Sequence, residues 1–450
     1  MKDQGILPIY YCWYPQFFCC LLVLLPFVSL KGQKPLSLSQ AIEKGLQNSF
    51  DIQINQINHT IADKRIKEAK KERLPTLEVN ATQGSFIVND RSPTSFINDF
   101  YRDRNFTVGL DGEWLLYDGA QGKLRREQYH LNKEEQETLG QIALENTIYQ
   151  ILLNYYEALI KQEALKVSEE VRTLSLDRLQ DVQLKVNLGK SSQYDAIRFE
   201  NAFLLDSIEV INQQQEVQAA LLRLNEAMGQ QRKIKYRLTD QLAYQTRSFD
   251  QIKMINKMKR QNRTIKNQYL VVEFVKLNTR TIGKSNLPQV RLNGGISQRF
   301  NGTRFPETPR IQSNTFQFQF RISASYSLFD GGRNKRAIEE SELQEQVEVL
   351  RTEQLETRLE QELIGSIDTY NRKVEVLRVT EKLLKNIDRN IQLEQDRYKS
   401  GFSSALDFRA VQLEYVNTQF ARLEAIYELL VNELNVLRLT GDLSGNWNKH

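Results

Sequence analysis

The stretch "TFQFQFRISASYSLFDGGR" (residues 315–333) decides the fold. Apolar side chains occupy every second position from Phe316 to Leu328, and polar side chains occupy most of the positions between them. A period of two is typical of a β-strand, and it places the two sets on opposite faces. Strands usually have about five or six residues, so the strand predicted over about 315–330 is unusually long. It belongs either to a large sandwich or to a sheet whose apolar medium is lipid.

The same pattern occurs earlier in the chain. "LLYDGAQGK" (115–123) recurs as "SLFDGGRNK" (327–335), and "GKSSQYD" (189–195) recurs as "GFSSALD" (401–407). One offset of 212 positions relates four landmarks, which are Asp118/Asp330, Gly189/Gly401, Asp195/Asp407 and Gly229/Gly441. A shared offset at separate landmarks is the signature of an internal repeat, so the sequence predicts a tandem duplication.

Each predicted repeat has a helix, two strands and a long helical hairpin. The first repeat covers 33–229, with a helix over 38–73, strands over about 76–86 and 105–118, and a hairpin over 119–229. The second covers 249–441, with a helix over 249–284, strands over about 289–300 and 315–330, and a hairpin over 331–441. An equatorial linker (230–248) joins the repeats, and a short tail (442–450) follows them.

The hairpins carry the signature of coiled coils. Residues 119–188 and 331–400 contain no proline, and apolar residues in the second segment recur at steps of three, four or seven. A helix of this length extends for about 100 Å. A glycine in each hairpin, Gly189 or Gly401, marks the turn at which the chain reverses.

The first 32 residues are interpreted as a signal peptide, with an apolar region over 17–30. The alternative is an uncleaved signal anchor. All three cysteines (Cys12, Cys19 and Cys20) lie in this segment, so the mature chain is expected to have no disulfide and no thiolate metal site. Beyond the leader no stretch approaches the ~20 apolar residues of a transmembrane helix.

Several function classes find no support in the sequence. The histidines His59, His130 and His450 lie far apart with no cysteine nearby, and "DGGRNK" lacks the Gly-Lys-Ser/Thr end of a phosphate-binding loop. The net charge of +5 comes from interspersed acids and bases, which disfavours nucleic acid as a partner. We therefore expect no enzymatic activity, no cofactor and no bound metal.

Lipid as the apolar medium has a structural consequence. An open sheet edge in hydrocarbon leaves backbone groups unpaired at a cost of several kcal/mol each, and four strands are too few to close a barrel. Several chains would have to share one barrel, and three chains would supply twelve strands. The residues expected to face lipid are Phe316, Phe318, Phe320, Ile322, Tyr326, Phe106, Val108, Leu110 and Trp114.

Taken together, these motifs resemble the TolC-like outer-membrane efflux protein family over essentially the whole mature length. The resemblance is carried by "LSLSQAIEKGLQNS" (36–49), the two Leu-Pro-plus-strand segments, the "LLYDGAQ"/"SLFDGGR" junctions and the two Gly-x-x-Ser-x-x-Asp turns. It implies a homotrimer in which a 12-stranded β-barrel in the cell outer membrane, with four strands per chain, continues into a long periplasmic α-helical barrel of coiled-coil hairpins. It also implies a periplasmic adaptor (a membrane fusion protein) and an inner-membrane pump of the RND or ABC type as partners.

The resemblance also suggests functional residues at the hairpin turns. It implies adaptor contact at Gly189, Lys190, Ser191, Ser192, Gly401, Phe402, Ser403 and Ser404, and a pore constriction at Asp407, Tyr398, Asp195 and Ser403. Tyr398 and Asp195 match the partners of a latch. Ala410 stands where the family has a second ring acid, and Ser403 where it has an arginine, so the acidic ring is reduced to Asp407. The structural alternatives are turn formation for the glycines, helix capping for the serines, and a charge favourable to the helix dipole for both aspartates.

The predicted function is a passive exit duct for drugs or other small amphiphilic compounds in a tripartite efflux system. One alternative is the exit duct of a type I protein secretion system. An alternative of a different class is a secreted coiled-coil scaffold without a pore. The repeated apolar strand face distinguishes the channel from the scaffold, because a scaffold has no use for a lipid-facing row in both halves.

Overall fold

The computed structural model describes residues 34–89, 100–230, 234–305 and 309–443. The predicted signal peptide (1–32) and most of the tail lie outside these ranges, as does the tip of the first strand hairpin. None of the helices in the described ranges is long and apolar enough to cross a membrane.

The two halves of the chain have closely similar element orders. The first half contains β1 (Lys34–Leu36), α1 (Leu38–Asn48), α2 (Phe50–Ala69), β2 (Thr76–Asn89), β3 (Phe100–Tyr117), α3 (Gln121–Asn187) and α4 (Gln193–Ala227). The second contains β4 (Tyr236–Leu238), α5 (Gln251–Gln261), α6 (Arg263–Gly283), β5 (Gln289–Arg304), β6 (Ile311–Ser325), α7 (Arg333–Lys399) and α8 (Ala405–Leu439). Helices α3 and α7 each have 67 residues, and α4 and α8 each have 35.

The two Asp-Gly motifs, at Asp118 and Asp330, lie where a strand ends and a long helix begins. Asp330 accepts hydrogen bonds from the backbone N–H groups of Gly332 (2.9 Å) and Asn334 (2.8 Å), and so satisfies donors at the start of α7. Asp118 accepts one from the Gly122 N–H at the start of α3. The residues after each aspartate have positive φ, including Gly331 at 69°. Glycine adopts this conformation at no steric cost, which explains the abrupt change of pattern after the strand.

Strands β2, β3, β5 and β6 form one antiparallel sheet in the order β2–β3–β5–β6. Directly paired residues share a face in an antiparallel sheet, and Val79, Leu110, Ile296 and Phe318 are paired in succession across all four strands. The apolar rows of the four strands therefore form one continuous face. The interleaved positions form a polar face.

The ends of the predicted strands need correction. Strand β6 covers Ile311–Ser325 and not 315–330. Its partner β5 begins at Gln289, which pairs with Ser325, so no strand remains to pair with residues 326–330. Tyr326, predicted to face lipid from this strand, therefore lies beyond it. At the other end, β2 and β3 stay paired to Asn89↔Phe100, beyond the predicted end of the first strand at 86 and the predicted start of the second at 105.

Each predicted first helix is broken into two. The break between α1 and α2 lies at Ser49, and the break between α5 and α6 lies at Asn262. Both residues cap the following helix through their side chains: Ser49 Oγ accepts from the Ile52 N–H (3.4 Å) and Asn262 Oδ1 from the Thr264 N–H (2.9 Å). These capping groups compete with a continuous helical ladder.

The breaks allow one helix to stack on another. Gly229, just past α4, lies so close to the carbonyl oxygen of Asn48 that an added Cβ would be 2.8 Å from it. Gly441, just past α8, has the same relation to Gln261, also at 2.8 Å. Helix α2 therefore continues the line of α4, and α6 continues that of α8.

The result is a wall one helix thick. Near the sheet the helices lie in the order α2–α3–α6–α7, and further away in the order α4–α3–α8–α7. The main core lies midway, where β1 and β4 pair in parallel beside buried residues of α1, α3, α4 and α8. Tyr155 of α3 donates a hydrogen bond to Asp240 of the linker (2.6 Å). The predicted linker (230–248) thus contains β4 and joins the core.

Candidate functional site: the hairpin tips and the apolar sheet face

The two hairpin turns lie at the end of the helical wall furthest from the sheet. Gly189 (φ 69°) and Gly401 (φ 75°) end α3 and α7, and an added Cβ at either would meet nothing within 4 Å. The N–H of Lys190 donates to the carbonyl of Lys185 (2.8 Å), and the same bond joins Phe402 to Arg397 (2.9 Å). These are the closing bonds of helix C-caps, for which positive φ is required.

The four serines of the tips have different roles. Ser192 Oγ caps α4 by accepting from the Asp195 N–H (3.1 Å), and Ser404 Oγ caps α8 by accepting from the Asp407 N–H (3.3 Å). Ser191 lies 3.4 Å from the Asp195 carboxylate, and Ser403 donates to Glu394. Two of the serines therefore have the capping role given as the structural alternative.

Exposed side chains at the tips are available for contact with another protein. Phe402 has 79% of its surface exposed, although it is a large apolar residue. Lys190 is also exposed. An exposed phenylalanine at the end of a helical hairpin is a typical anchor in protein interfaces.

Asp407 lies in the first turn of α8 and is exposed. Its carboxylate accepts hydrogen bonds from Ser404 Oγ (2.7 Å) and from the Ser404 N–H (3.3 Å). These bonds hold the pKa of Asp407 below its usual value of 3.8. Asp407 therefore forms a capping box with Ser404 in the first turn of α8, where the helix dipole favours an acid, and its carboxylate remains ionised at neutral pH. An acidic ring formed by several copies stays a prediction.

Tyr398 and Asp195 are not hydrogen-bonded to each other in the described part of the chain. The Tyr398 ring packs against Phe199 and Phe408, with centroid distances of 5.8 and 5.9 Å. Burial raises the pKa of the Tyr398 hydroxyl. The Asp195 carboxylate instead accepts from Ser192 Oγ (2.6 Å). The predicted latch is thus not formed within this single chain, and it remains a prediction for the assembled channel.

A buried ion pair close to the tips was missed by the sequence analysis. Arg409 of α8 donates to both carboxylate oxygens of Asp206 of α4, at 2.7 and 2.8 Å. Ser175 of α3 also donates to Asp206 (2.5 Å), and Gln412 of α8 donates to Ser175 (2.8 Å). This network joins the two hairpins. Arg409 and Asp206 are 203 positions apart, so no local pattern pairs them.

The sheet places the predicted lipid-facing residues together, apart from Tyr326, which lies beyond the end of β6. Phe316, Phe318, Phe320 and Ile322 are exposed by 62–71%, and their row lies on the same face as the rows from the other strands. Phe106 and Phe300 stack on this face with ring centroids 6.2 Å apart. A shallow groove of about 340 Å³ crosses it between Leu77, Leu292 and Phe320. An apolar area of this extent on a single chain indicates a partner or a membrane.

Comparison with known proteins gives a consistent picture. Residues 254–442 match the outer membrane efflux protein family. No curated protein sequence matches the chain. Its fold is similar to that of the CmeC outer membrane channel of Campylobacter jejuni, at 13% identity and a TM-score of 0.72, over 92% of this chain and 88% of CmeC.

Two further outer-membrane proteins have a similar fold. The MtrE outer membrane channel of Neisseria gonorrhoeae, solved in its open state, has 16% identity and a TM-score of 0.70 over 90% of this chain and 89% of MtrE. The outer membrane protein VceC of Vibrio cholerae has 14% identity and a TM-score of 0.67 over 90% of this chain and 96% of VceC. These matches confirm the predicted resemblance of the chain to the TolC-like outer-membrane efflux proteins, through the family model in its second half and through the fold of the whole described chain.

Proposed function

We propose that three copies of this chain form an outer-membrane channel that serves as the passive exit duct of a tripartite efflux system. The observation that carries the proposal is the four-stranded sheet, which has one continuous apolar face and two unpaired edges, β2 and β6. In lipid those edges must find partners. Another copy of the chain supplies a β6 edge for β2 and a β2 edge for β6, and three copies close twelve strands into a barrel.

The helical wall supports the same assembly, because its edges carry unpartnered apolar stripes. On α2 the stripe is Phe50, Ile54, Ile57 and Ile61, and on α4 it includes Ile197, Leu204, Ile208 and Ile211. On α7 it includes Leu343, Leu350, Val376, Val379 and Leu383. Spacings of three, four and seven are those of a coiled-coil seam. Packing α2 and α4 of one copy against α7 of the next buries these stripes and continues the wall into a cylinder.

The remaining partners are proposed from the geometry of the tips. The exposed Phe402 and the open space around both turning glycines suit an adaptor that meets the end of the cylinder, and an inner-membrane pump would deliver substrate through it. Asp407 of three copies would line the narrow end as an acidic ring. We propose small amphiphilic compounds as cargo, with a secreted polypeptide as the alternative.

Deletion of the gene tests this function. Loss of the duct should increase sensitivity to a panel of toxic amphiphiles, and complementation should restore resistance. A normal resistance profile together with proteins missing from the culture medium would favour the type I secretion alternative. Purification as a soluble monomer that needs no detergent would favour the scaffold and contradict the channel.

A further inference from the structure

The junction between sheet and helices carries a dense group of cations. This group, the basic belt, consists of Lys70, Lys71, Arg73, Lys123, Arg125, Arg126, Lys284, Arg333, Lys335 and Arg336. The four segments that hold it (70–75, 118–126, 284–288 and 330–336) contain ten cations and three acids, a formal charge of +7, whereas the whole chain carries only +5. The positive charge of the protein is therefore concentrated where the strands end.

The acids within the belt neutralise little of it. Asp118 and Asp330 cap α3 and α7, and the Asp118 carboxylate also lies 3.6 Å from the Arg125 guanidinium. Glu72 lies 3.5 Å from Arg125 and pairs with it. Among the described residues, Arg73, Lys123, Arg126 and Arg333 have no acidic partner within 4 Å, and the Lys335 ammonium has only an exposed glutamate at 3.8 Å. Most of the belt is free to bind an external anion.

Helix stability does not explain these residues. Helices α3 and α7 have no acidic residue in their first turns, although acids are favoured at that end and cations are disfavoured by the helix dipole. Both halves nevertheless place three cations within the first six residues of the helix. A cost repeated in both halves indicates an anionic partner outside the chain.

The belt is continuous with the apolar sheet face. A groove of about 720 Å³ lies between the end of β3 and the start of α3, and its walls combine Trp114 and Leu116 with Arg73, Lys123 and Arg126. The Trp114 indole N–H donates to the Arg73 carbonyl (2.7 Å), so apolar ring and cationic segment are in direct contact. Tryptophan and basic residues side by side are typical of the boundary between hydrocarbon and headgroups.

We propose that the basic belt binds the phosphate groups of anionic phospholipids in the membrane leaflet on the helical side of the sheet. The lipid tails would lie against the apolar sheet face, while arginine and lysine side chains would bind the phosphates. This inference rests on the proposed function, because it needs the sheet to lie in a bilayer. Its consequence is a defined depth of the channel in the membrane.

Lipid selectivity in vesicles tests the proposal. The full-length protein is reconstituted in phosphatidylcholine vesicles that contain a trace of spin-labelled phosphatidylglycerol or spin-labelled phosphatidylcholine, and the protein-bound fraction of each probe is measured by electron spin resonance. We expect phosphatidylglycerol to associate about fivefold more strongly, which is roughly what one surface cation supplies. The preference should disappear in 1 M salt, where the Debye length is about 3 Å.

A variant and its control locate the effect. One variant changes five belt residues to glutamine: Lys123, Arg126, Arg333, Lys335 and Arg336. It should bring the ratio of bound phosphatidylglycerol to bound phosphatidylcholine close to one. The control Lys382→Gln/Lys385→Gln/Arg389→Gln removes exposed cations from α7 about 75 Å away and should leave the ratio unchanged. If the five-residue variant does not form the native oligomer, the double variant Lys335→Gln/Arg336→Gln is used instead. Its ratio of bound phosphatidylglycerol to bound phosphatidylcholine should be at least twofold lower than that of the unmodified protein.

Two results would contradict lipid binding by the basic belt. One is no preference for phosphatidylglycerol in the unmodified protein. The other is a preference that the control variant removes as strongly as the belt variant does. Conductance measured on the same vesicles separates this outcome from a failure of the proposed function. A conducting channel without lipid preference contradicts the belt alone. A lipid-selective protein without conductance contradicts the channel alone.

Discussion

At the strand-to-helix junctions, single residues set the direction of the chain. Gly332 and Ala120 occupy equivalent positions before α7 and α3, with φ of 74° and 65°. Ala120 is the only non-glycine residue with positive φ among those described. A Cβ in this conformation costs about 1–2 kcal/mol, so the first half carries strain that the second avoids.

Substitutions at these two positions should change the stability of the protein in opposite directions. Ala120→Gly should stabilise the protein by about 1 kcal/mol, and Gly332→Ala should destabilise it by a similar amount. The midpoint of thermal unfolding of the detergent-solubilised protein, measured by circular dichroism, provides the comparison. Equal shifts in the same direction would contradict this explanation of the junctions.

The Arg409–Asp206 pair should be essential to the contact between the hairpins. Arg409→Ala leaves a buried carboxylate without its partner, and we expect a loss of about 3 kcal/mol in unfolding free energy. Replacement of both residues by leucine should cost less than this single change, because no charge then remains buried. A double-mutant cycle measures the coupling, and additive losses would show that the pair is not coupled.

Asp407 should control the binding of multivalent cations at the pore. Asp407→Ala should weaken their block of the conductance about tenfold or more, because three carboxylates are lost together. Hydrogen bonds from Ser404 lower the pKa of Asp407, so its charge is retained above pH 3.8 and lost as the pH falls through the lower, folded-state value. Unchanged block in the variant would exclude the ring.

At the scale of elements, the sequence predicted what local patterns determine and missed what distant partners determine. The period of two identified the strands, and Gly189 and Gly401 identified the hairpin turns. The end of β6 depends on where β5 begins, and no residue within 326–330 reveals it. Ser49 and Asn262 are polar residues of a kind common on helix surfaces, so the sequence around them does not indicate a helix end. The breaks at these residues become apparent only from the stacking of α2 on α4 and of α6 on α8.

The two faces of β6 should respond differently to charge. Phe318→Arg places a cation on the apolar face and should cost about 2–4 kcal/mol near the middle of the bilayer. Gln319→Arg, on the opposite face of the same strand, should cost much less. The yield of heat-modifiable oligomer from outer membranes measures both. Equal tolerance of the two changes would indicate that this face does not contact lipid.

At the scale of the whole molecule, the single chain leaves apolar surfaces and sheet edges uncovered. Its wall is one helix thick, its main core lies at mid-height with smaller buried clusters elsewhere along the helices, and apolar stripes remain exposed along both edges. Such an extended body cannot bury these surfaces by itself. A second and a third copy would complete the sheet, the wall and the acidic ring through the same interface, because each copy presents a β2 edge and a β6 edge.

Disulfide cross-linking between these edges tests that claim most directly. Residues 34–450 contain no cysteine, so Thr82→Cys in β2 can be combined with single cysteines placed in turn at positions 316–322 of β6. After oxidation in intact outer membranes, the account predicts covalent species of two and three chains for the cysteines in register, and none larger than three. Absence of cross-links at every position, or a series that continues beyond three chains, would contradict it.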